Sequence, residues 1–507
     1  MKRREFLKSI GILGLGLTHA PFLLVSSSKA REIMNVIKGE VNYQQPTALP
    51  IVINIFLYGG PSELAGNLTN IEEINANSQN TYPSEVLPSS NNSTVTTNWF
   101  WGSAGGYIME ELIAGKTAGG VTIFPPSMSL YRTVYRIKDD NKSHPISITQ
   151  NLVGNLDLEK PGYASTLASI LATYNPWNKD INQLVLPFVS FEGDSTVFKT
   201  GDLNIPLTMK PMMLDHRLNN PYKRKKIPGF SDEDFSYIDG VIEQLARETS
   251  ATHTEYLKKI KEAFVKRQEL ADFVENNLQN IDSSLPVSPD PNATNDPQGT
   301  GNYDPDIDAN RRLVYPDGNP IAQYLKVAVA LAIENEDTVF ISVGNGGLGS
   351  WDNHSNAIDG YKERVTNLMR ALRCAVKHMY WYSLDDTKPQ TKRDRARRIV
   401  INAFGDFGRN VNLNNSMGWD HGNNQNLYTV GGWDIPGRSL GKLVGRTEVF
   451  GTGANNRLFT RPNQDSYSFE PFSIISTVYK YFGVQNPEVI TGEPPIDEQN
   501  PPNEFIV

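Results

Sequence analysis

Three observations predict a layered α/β fold built on a mostly parallel sheet. The run Ile51-Val52-Ile53-Asn54-Ile55-Phe56-Leu57 is apolar on both faces and stops at the turn Tyr58-Gly59-Gly60-Pro61, as a central parallel strand does. Helical and strand patterns alternate from residue 321 to residue 404, which calls for right-handed crossovers. Acid- and imidazole-bearing blocks, Ser350-Trp351-Asp352-Asn353-His354 and Gly405-Asp406-Phe407-Gly408-Arg409, directly follow two of the strand patterns. In open α/β sheets, ligands bind outside the carboxyl ends of the strands.

The elements follow in order. After the first strand, residues 66–121 are rich in Asn, Ser, Thr and Gly and read as a long surface excursion. Residues 184–191 give a second strand, weakened by Pro187. From 236 to 282, apolar residues recur at helical spacing (Ile238, Val241, Leu245, Leu257, Ile260, Phe264) among many charges, predicting a helical insertion or cap. Residues 282–312 begin with a Pro-, Asn-, Asp- and Gly-rich stretch and read as a flexible loop. A helix over 321–333, a strand over 337–343, a helix with Tyr361, Val365, Leu368, Leu372, Val376 and Met379 on one face, and a strand over 398–404 complete the alternation. The run 472–482 reads as a last helix, with Gly483 as its stop.

The N-terminus predicts export. Lys2-Arg3-Arg4-Glu5-Phe6-Leu7-Lys8 is a twin-arginine pattern, followed by an apolar stretch and Ser26-Ser27-Ser28-Lys29-Ala30. Residues 1–30 are therefore expected to be a signal peptide handled by the twin-arginine machinery, and 31–507 a single domain in the periplasm or outside the cell. Thr18, His19, Pro21 and the glycines make a poor permanent span, although an uncleaved anchor is the alternative. Losing residues 1–30, with five Lys/Arg and one Glu, would take the formal charge from −8 to −12. Such an acidic protein is not expected to bind nucleic acid. Cys374 is the only cysteine, which excludes an internal disulfide despite the oxidising destination.

The chemistry concentrates in the two blocks already quoted and a third, Gly418-Trp419-Asp420-His421-Gly422. Carboxylate oxygen with neutral imidazole nitrogen suits a divalent cation, zinc or manganese before others. Asp352, His354, Asp406, Asp420 and His421 are the candidate ligands. Each alone is as well explained as a helix cap, an Asx turn or a surface polar group; their combination is what points to a site. Asp304-Pro305-Asp306-Ile307-Asp308 has alternating oxygens but lacks the glycine and glutamate of an EF-hand, which leaves only a looser calcium site. Cys374 and His378, one helical turn apart beside an apolar face, read as structural. Lys223-Arg224-Lys225-Lys226 reads as a solvated loop.

Taken in order, these motifs resemble the exported bacterial family called domain of unknown function 1501, in the alkaline phosphatase and sulfatase superfamily. The resemblance rests on the Arg-Arg-x-Phe-Leu-Lys signal, the strand into Gly59-Gly60-Pro61-Ser62, Asn141-Lys142-Ser143-His144, Trp351-Asp352-Asn353-His354, Asp406-Phe407-Gly408-Arg409 and Gly418-Trp419-Asp420-His421-Gly422. It implies a three-layer, alkaline-phosphatase-like α/β/α sandwich with long loop insertions and a site for one or two divalent metals, the superfamily's Asp/His pairs falling on Asp352, His354, Asp420 and His421. Two departures matter. The metal-binding aspartate expected after the first strand is missing, with Glu63 as a substitute ligand and Ser62 as a weak ligand or nucleophile. Asp406 stands where the family commonly has Glu. A sulfatase is disfavoured, because the chain has no Cys/Ser-x-Pro-x-Arg sequence.

The expected function is metal-dependent hydrolysis of a phosphate or related ester, the substrate being a small or envelope-derived anionic ester. Ser62 or Ser143 would be the nucleophile, His144 a ligand or general acid, and Arg409 a guanidinium facing an anionic ester oxygen. The alternative is a catalytically degenerate member serving as a binding or structural protein of the envelope.

Overall fold

The computed structural model describes residues 27–61, 80–83, 105–201, 203–215, 270–275, 281–453 and 457–502, with scattered single positions between. Eight strands form one sheet: β1 (Ile51–Leu57), β2 (Met128–Tyr135), β3 (Phe188–Ser190), β4 (Met212–Met213), β5 (Phe340–Gly344), β6 (Ile399–Gly405), β7 (Asn424–Gly431) and β8 (Leu443–Val444). Their order across the sheet is β8-β2-β7-β6-β1-β5-β3-β4. All neighbours are parallel except β7, which runs antiparallel to both β6 and β2. The fold is therefore mixed α/β with a large, mostly parallel central sheet, as the sequence predicts.

Every residue of β1 and of β6 is buried, which explains why both read as unbroken apolar runs. Their side chains alternate between two cores. Ile51, Ile53, Ile55, Ile399 and Ile401 join helices α2 (Gly106–Ala114), α5 (Pro320–Glu334) and α6 (Ala357–Leu384). Val52, Phe56, Val400 and Phe404 join α1 (Ser27–Gly39), α4 (Tyr163–Tyr174) and α7 (Phe472–Tyr481). Ile51 pairs with Ile399 and Leu57 with Gly405, so β1 and β6 end level and their following turns lie side by side. An antiparallel strand begins where its parallel neighbours end, so the segment entering β7 reaches that same edge. The chain leaving β2 reaches it as well, on its way to α3 (His144–Val153).

The sequence reading needs correction at several places. Residues 106–121 are not surface excursion: they form α2, with Ile108, Met109, Leu112 and Ile113 buried, and most of a short hairpin that ends at Phe124. The second strand is shorter than predicted, because Pro187 lies outside it and offers only its carbonyl, to Val339 and Phe340 N. β2 and β7 were not predicted at all. The buried β7 holds Asn424, Gln425, Asn426 and Thr429, a polarity that reads as loop. Gly405 N donates to Gln425 Oε1 and Thr429 Oγ1 to Asn402 Oδ1. The loop 282–312 is packed against α6: Lys377 Nζ meets Asp304 and Asp306 at 2.6 and 2.7 Å, and Arg373 grips Asp306 through two nitrogens. Those carboxylates are matched by protein cations, which argues against calcium there. Cys374 and His378 are buried in the core, as expected.

Residues 1–26, Ser62, Glu63, the 223–226 cluster and most of the 236–282 insertion lie outside the described residues. Among the described residues, no helix is long and apolar enough to cross a membrane.

Candidate metal centre

Two tryptophans place two of the motif blocks. Trp351 and Trp419 are fully buried and both pack on Tyr361 of α6, with ring centroids 5.1 and 4.5 Å away. Trp351 N donates to Tyr58 O, and Trp419 N to Asn353 O, tying the blocks to the β1 turn and to each other. Asp352/His354 and Asp420/His421, 66 residues apart along the chain between His354 and Asp420, thus meet in space. Gly408 pairs with Gly422 and Arg409 with His421 in a short antiparallel ribbon. That ribbon lies so close to β7 that a Cβ on Gly408 would stand 1.4 Å from Asn424 O.

A separate device brings in His144. The turns after β2 are held by carboxylate and amide caps: Asn141 N donates to Asp139 Oδ1 (2.8 Å) and Ser143 N to Asn141 Oδ1 (2.9 Å). From α3, Asn151 Nδ2 donates to the carbonyls of Gly405 and Asp406. The first residue of α3 is therefore fixed beside the end of β6.

At the centre, His144 Nδ1 lies 2.6 Å from Asp406 Oδ2, and His421 Nδ1 lies 2.8 Å from Lys142 O. The Lys142 carbonyl has no proton to give, so the His421 imidazole carries its hydrogen on Nδ1 and turns a lone pair outward on Nε2; His144 likewise turns Nε2 away from Asp406. Both Nε2 atoms are buried and have no hydrogen-bond partner. Asp352 lies between them, Oδ2 being 3.4 Å from His144 Nε2 and Oδ1 3.8 Å from His421 Nε2. Among the described residues, one group of three such donor atoms falls within 4.8 Å of one another: His144, Asp352 and His421. Three ligands at about 2.1 Å in tetrahedral arrangement stand about 3.4 Å apart, so a modest closure suffices. Two orphaned imidazole nitrogens facing a carboxylate fit a divalent cation.

The electrostatics favour a ligating form at His421 and Asp352, whereas at His144 they favour the imidazolium, whose Nε2 proton a cation would have to displace. His421 is pushed down to about 4 by burial and by the nearby Arg409 and His144, so its ring is neutral and able to ligate. The hydrogen bond to Asp406 raises the His144 pKa, outweighing burial. Burial raises the Asp352 carboxyl, but the Arg409 hydrogen bond and charge outweigh it and hold the pKa low.

The remaining predicted residues fall around this trio. Asp406 is fully buried behind His144, in the position of a carboxylate that orients a ligating histidine. His354 Nε2 is 3.0 Å from Asp352 Oδ1, and its Nδ1 is 3.2 Å from Asp420 Oδ1, so Asp420 stands behind His354. Arg409 is buried and turned inward: Nε donates to Gly60 O (2.8 Å), Nη2 to Gly59 O and Asp352 Oδ1 (2.6 Å for the latter), and Nη1 to Trp419 O (3.3 Å). These contacts brace Asp352 and the turn after β1. Ser143 occupies the N-cap position of α3, where its hydroxyl makes no cap hydrogen bond. Sequence reasoning missed the braces, namely Trp351, Trp419, Tyr361 and Asn151. The two tryptophans inside the motifs were the available signal.

In comparison with known proteins, no family model matches the chain and no curated protein matches it in sequence.

Proposed function

We propose that the chain is an exported, metal-dependent hydrolase-like protein acting on phosphate or related esters, related to domain of unknown function 1501 and alkaline-phosphatase-like in fold. One observation carries the reading: two buried, partnerless imidazole nitrogens converge with Asp352 at the carboxyl edge of the sheet. His144, Asp352 and His421 would hold the ion, zinc or manganese by donor type. A divalent cation there would polarise an ester oxygen and lower the pKa of a hydroxyl or water nucleophile. Asp406 and Lys142 O fix the tautomers of the two histidines, while Arg409 fixes Asp352. The twin-arginine pattern supports a periplasmic or secreted location.

A catalytically degenerate binding or structural protein is the second reading. It is favoured by Tyr58-Gly59-Gly60-Pro61, which offers no carboxylate after β1, and by the engagement of Arg409 with the protein itself. Metal analysis of protein purified without chelator separates the two first. The hydrolase reading expects about one equivalent of a transition metal, lost in His421→Ala together with turnover of chromogenic phosphate mono- and diesters. Less than about half an equivalent in the wild type, or turnover unchanged in His421→Ala, would remove the proposed site.

A further inference from the structure

Resting on that metal-site reading, we infer that the centre takes a single divalent cation, the Arg409 guanidinium filling the place of a second, and that it therefore favours monoanionic or neutral esters over dianionic ones. The guanidinium is fully buried and ringed by oxygen: Asp352 Oδ1 and the carbonyls of Gly59, Gly60 and Trp419. One carboxylate and three carbonyls are the donor set of a hard cation. Here they are satisfied by a cation that belongs to the chain. The approach is close, since a Cβ on Gly59 (φ +107°) would stand 2.5 Å from Asp352 N. His354 Nε2 also faces this guanidinium at 3.5 Å. A second metal ion bridging Asp352 would have to displace Arg409 or sit against its like charge.

Charge then limits the substrate. Asp352, Asp406 and Asp420 oppose one guanidinium and one dication, which leaves no net charge in the immediate site. Lys142, whose carbonyl orients His421, is paired with Asp140, and Arg136, which donates to Asp406 O, is paired with Asp139, so neither adds any. A dianionic monoester would bring two uncompensated charges into partly buried ground, and a diester only one.

The test uses the full chain stripped of metal and titrated calorimetrically with zinc, followed by methyl phosphate and dimethyl phosphate at pH about 8.5, where only the former is a dianion. One zinc per chain and dimethyl phosphate binding about tenfold tighter are expected. Arg409→Lys should still bind one zinc, and Arg409→Met, if folded by circular dichroism, should accept a second. Two zinc ions in the wild type, or tighter binding of methyl phosphate, overturns the inference while leaving the metal-site reading standing. No zinc bound overturns the reading beneath it. If Arg409→Met does not fold, the wild-type stoichiometry and the ester preference still decide.

Discussion

At the scale of single residues, the proposed centre would depend on partners that are not themselves among the three candidate ligands. Asp406 holds His144 by Nδ1, so replacing it with Asn should leave the ligand in place but less well aimed and less basic. Asp406→Asn is expected to weaken zinc binding about 10- to 100-fold. Competition against a chromophoric chelator would measure this; an unchanged affinity would mean that Asp406 does not orient the site. The sequence made Asp406, Asp352, His144 and His421 visible, because each sits in a polar block just before or after a strand or at a helix start. It could not divide ligand from brace, since that depends on which carboxylate oxygen lies 2.6 Å from His144 Nδ1 and which lies beyond 3 Å. Arg409 was legible as a candidate, but not its engagement with three main-chain carbonyls, which belong to segments distant in sequence or to its own ribbon.

At the scale of elements, the loop 282–312 and α6 are joined by buried charge. Asp306 is held down to about 2: burial opposes this, but Lys377 and Arg373 more than compensate. Removing that carboxylate leaves two buried cations short of a partner. Asp306→Ala should cost about 3–5 kcal/mol, read as a shift in the urea midpoint. A loss under about 1 kcal/mol would show that water reaches the cations. The same elements show how far periodicity carries. α5, α6, β1 and β6 were legible because their buried faces are apolar at the period of their structure. β7 was not, because its interior is polar and is satisfied by partners distant in sequence, such as Arg132 O for Asn424 Nδ2.

At the scale of the whole molecule, the core on the α6 face contains a titratable group with a directional effect on stability. His378 is buried, 3.1 Å from Tyr315 Oη, and is pushed down to about 3 by burial and then by Lys326. Its unfolded-state value is about 6.5, so its contribution is fully present above that pH. Between about 6.5 and 3 the unfolded chain takes up a proton that the native state refuses, and stability falls with pH. Wild type should therefore lose more stability than His378→Leu between pH about 7 and 5 in chemical denaturation. Equal losses would mean that the buried ring is protonated in the native state. By itself, the sequence determined the fold class, the apolar strands and helices, and the blocks that meet at the candidate site, because periodicity and strand-end position are local. Only the tertiary structure decided that Trp351 and Trp419 meet on Tyr361, that β7 runs backwards to deliver His421, and that the guanidinium after β6 closes over the turn after β1. Those are contacts between segments tens to hundreds of residues apart, and their distances, not their spacing, separate a ligand from its support.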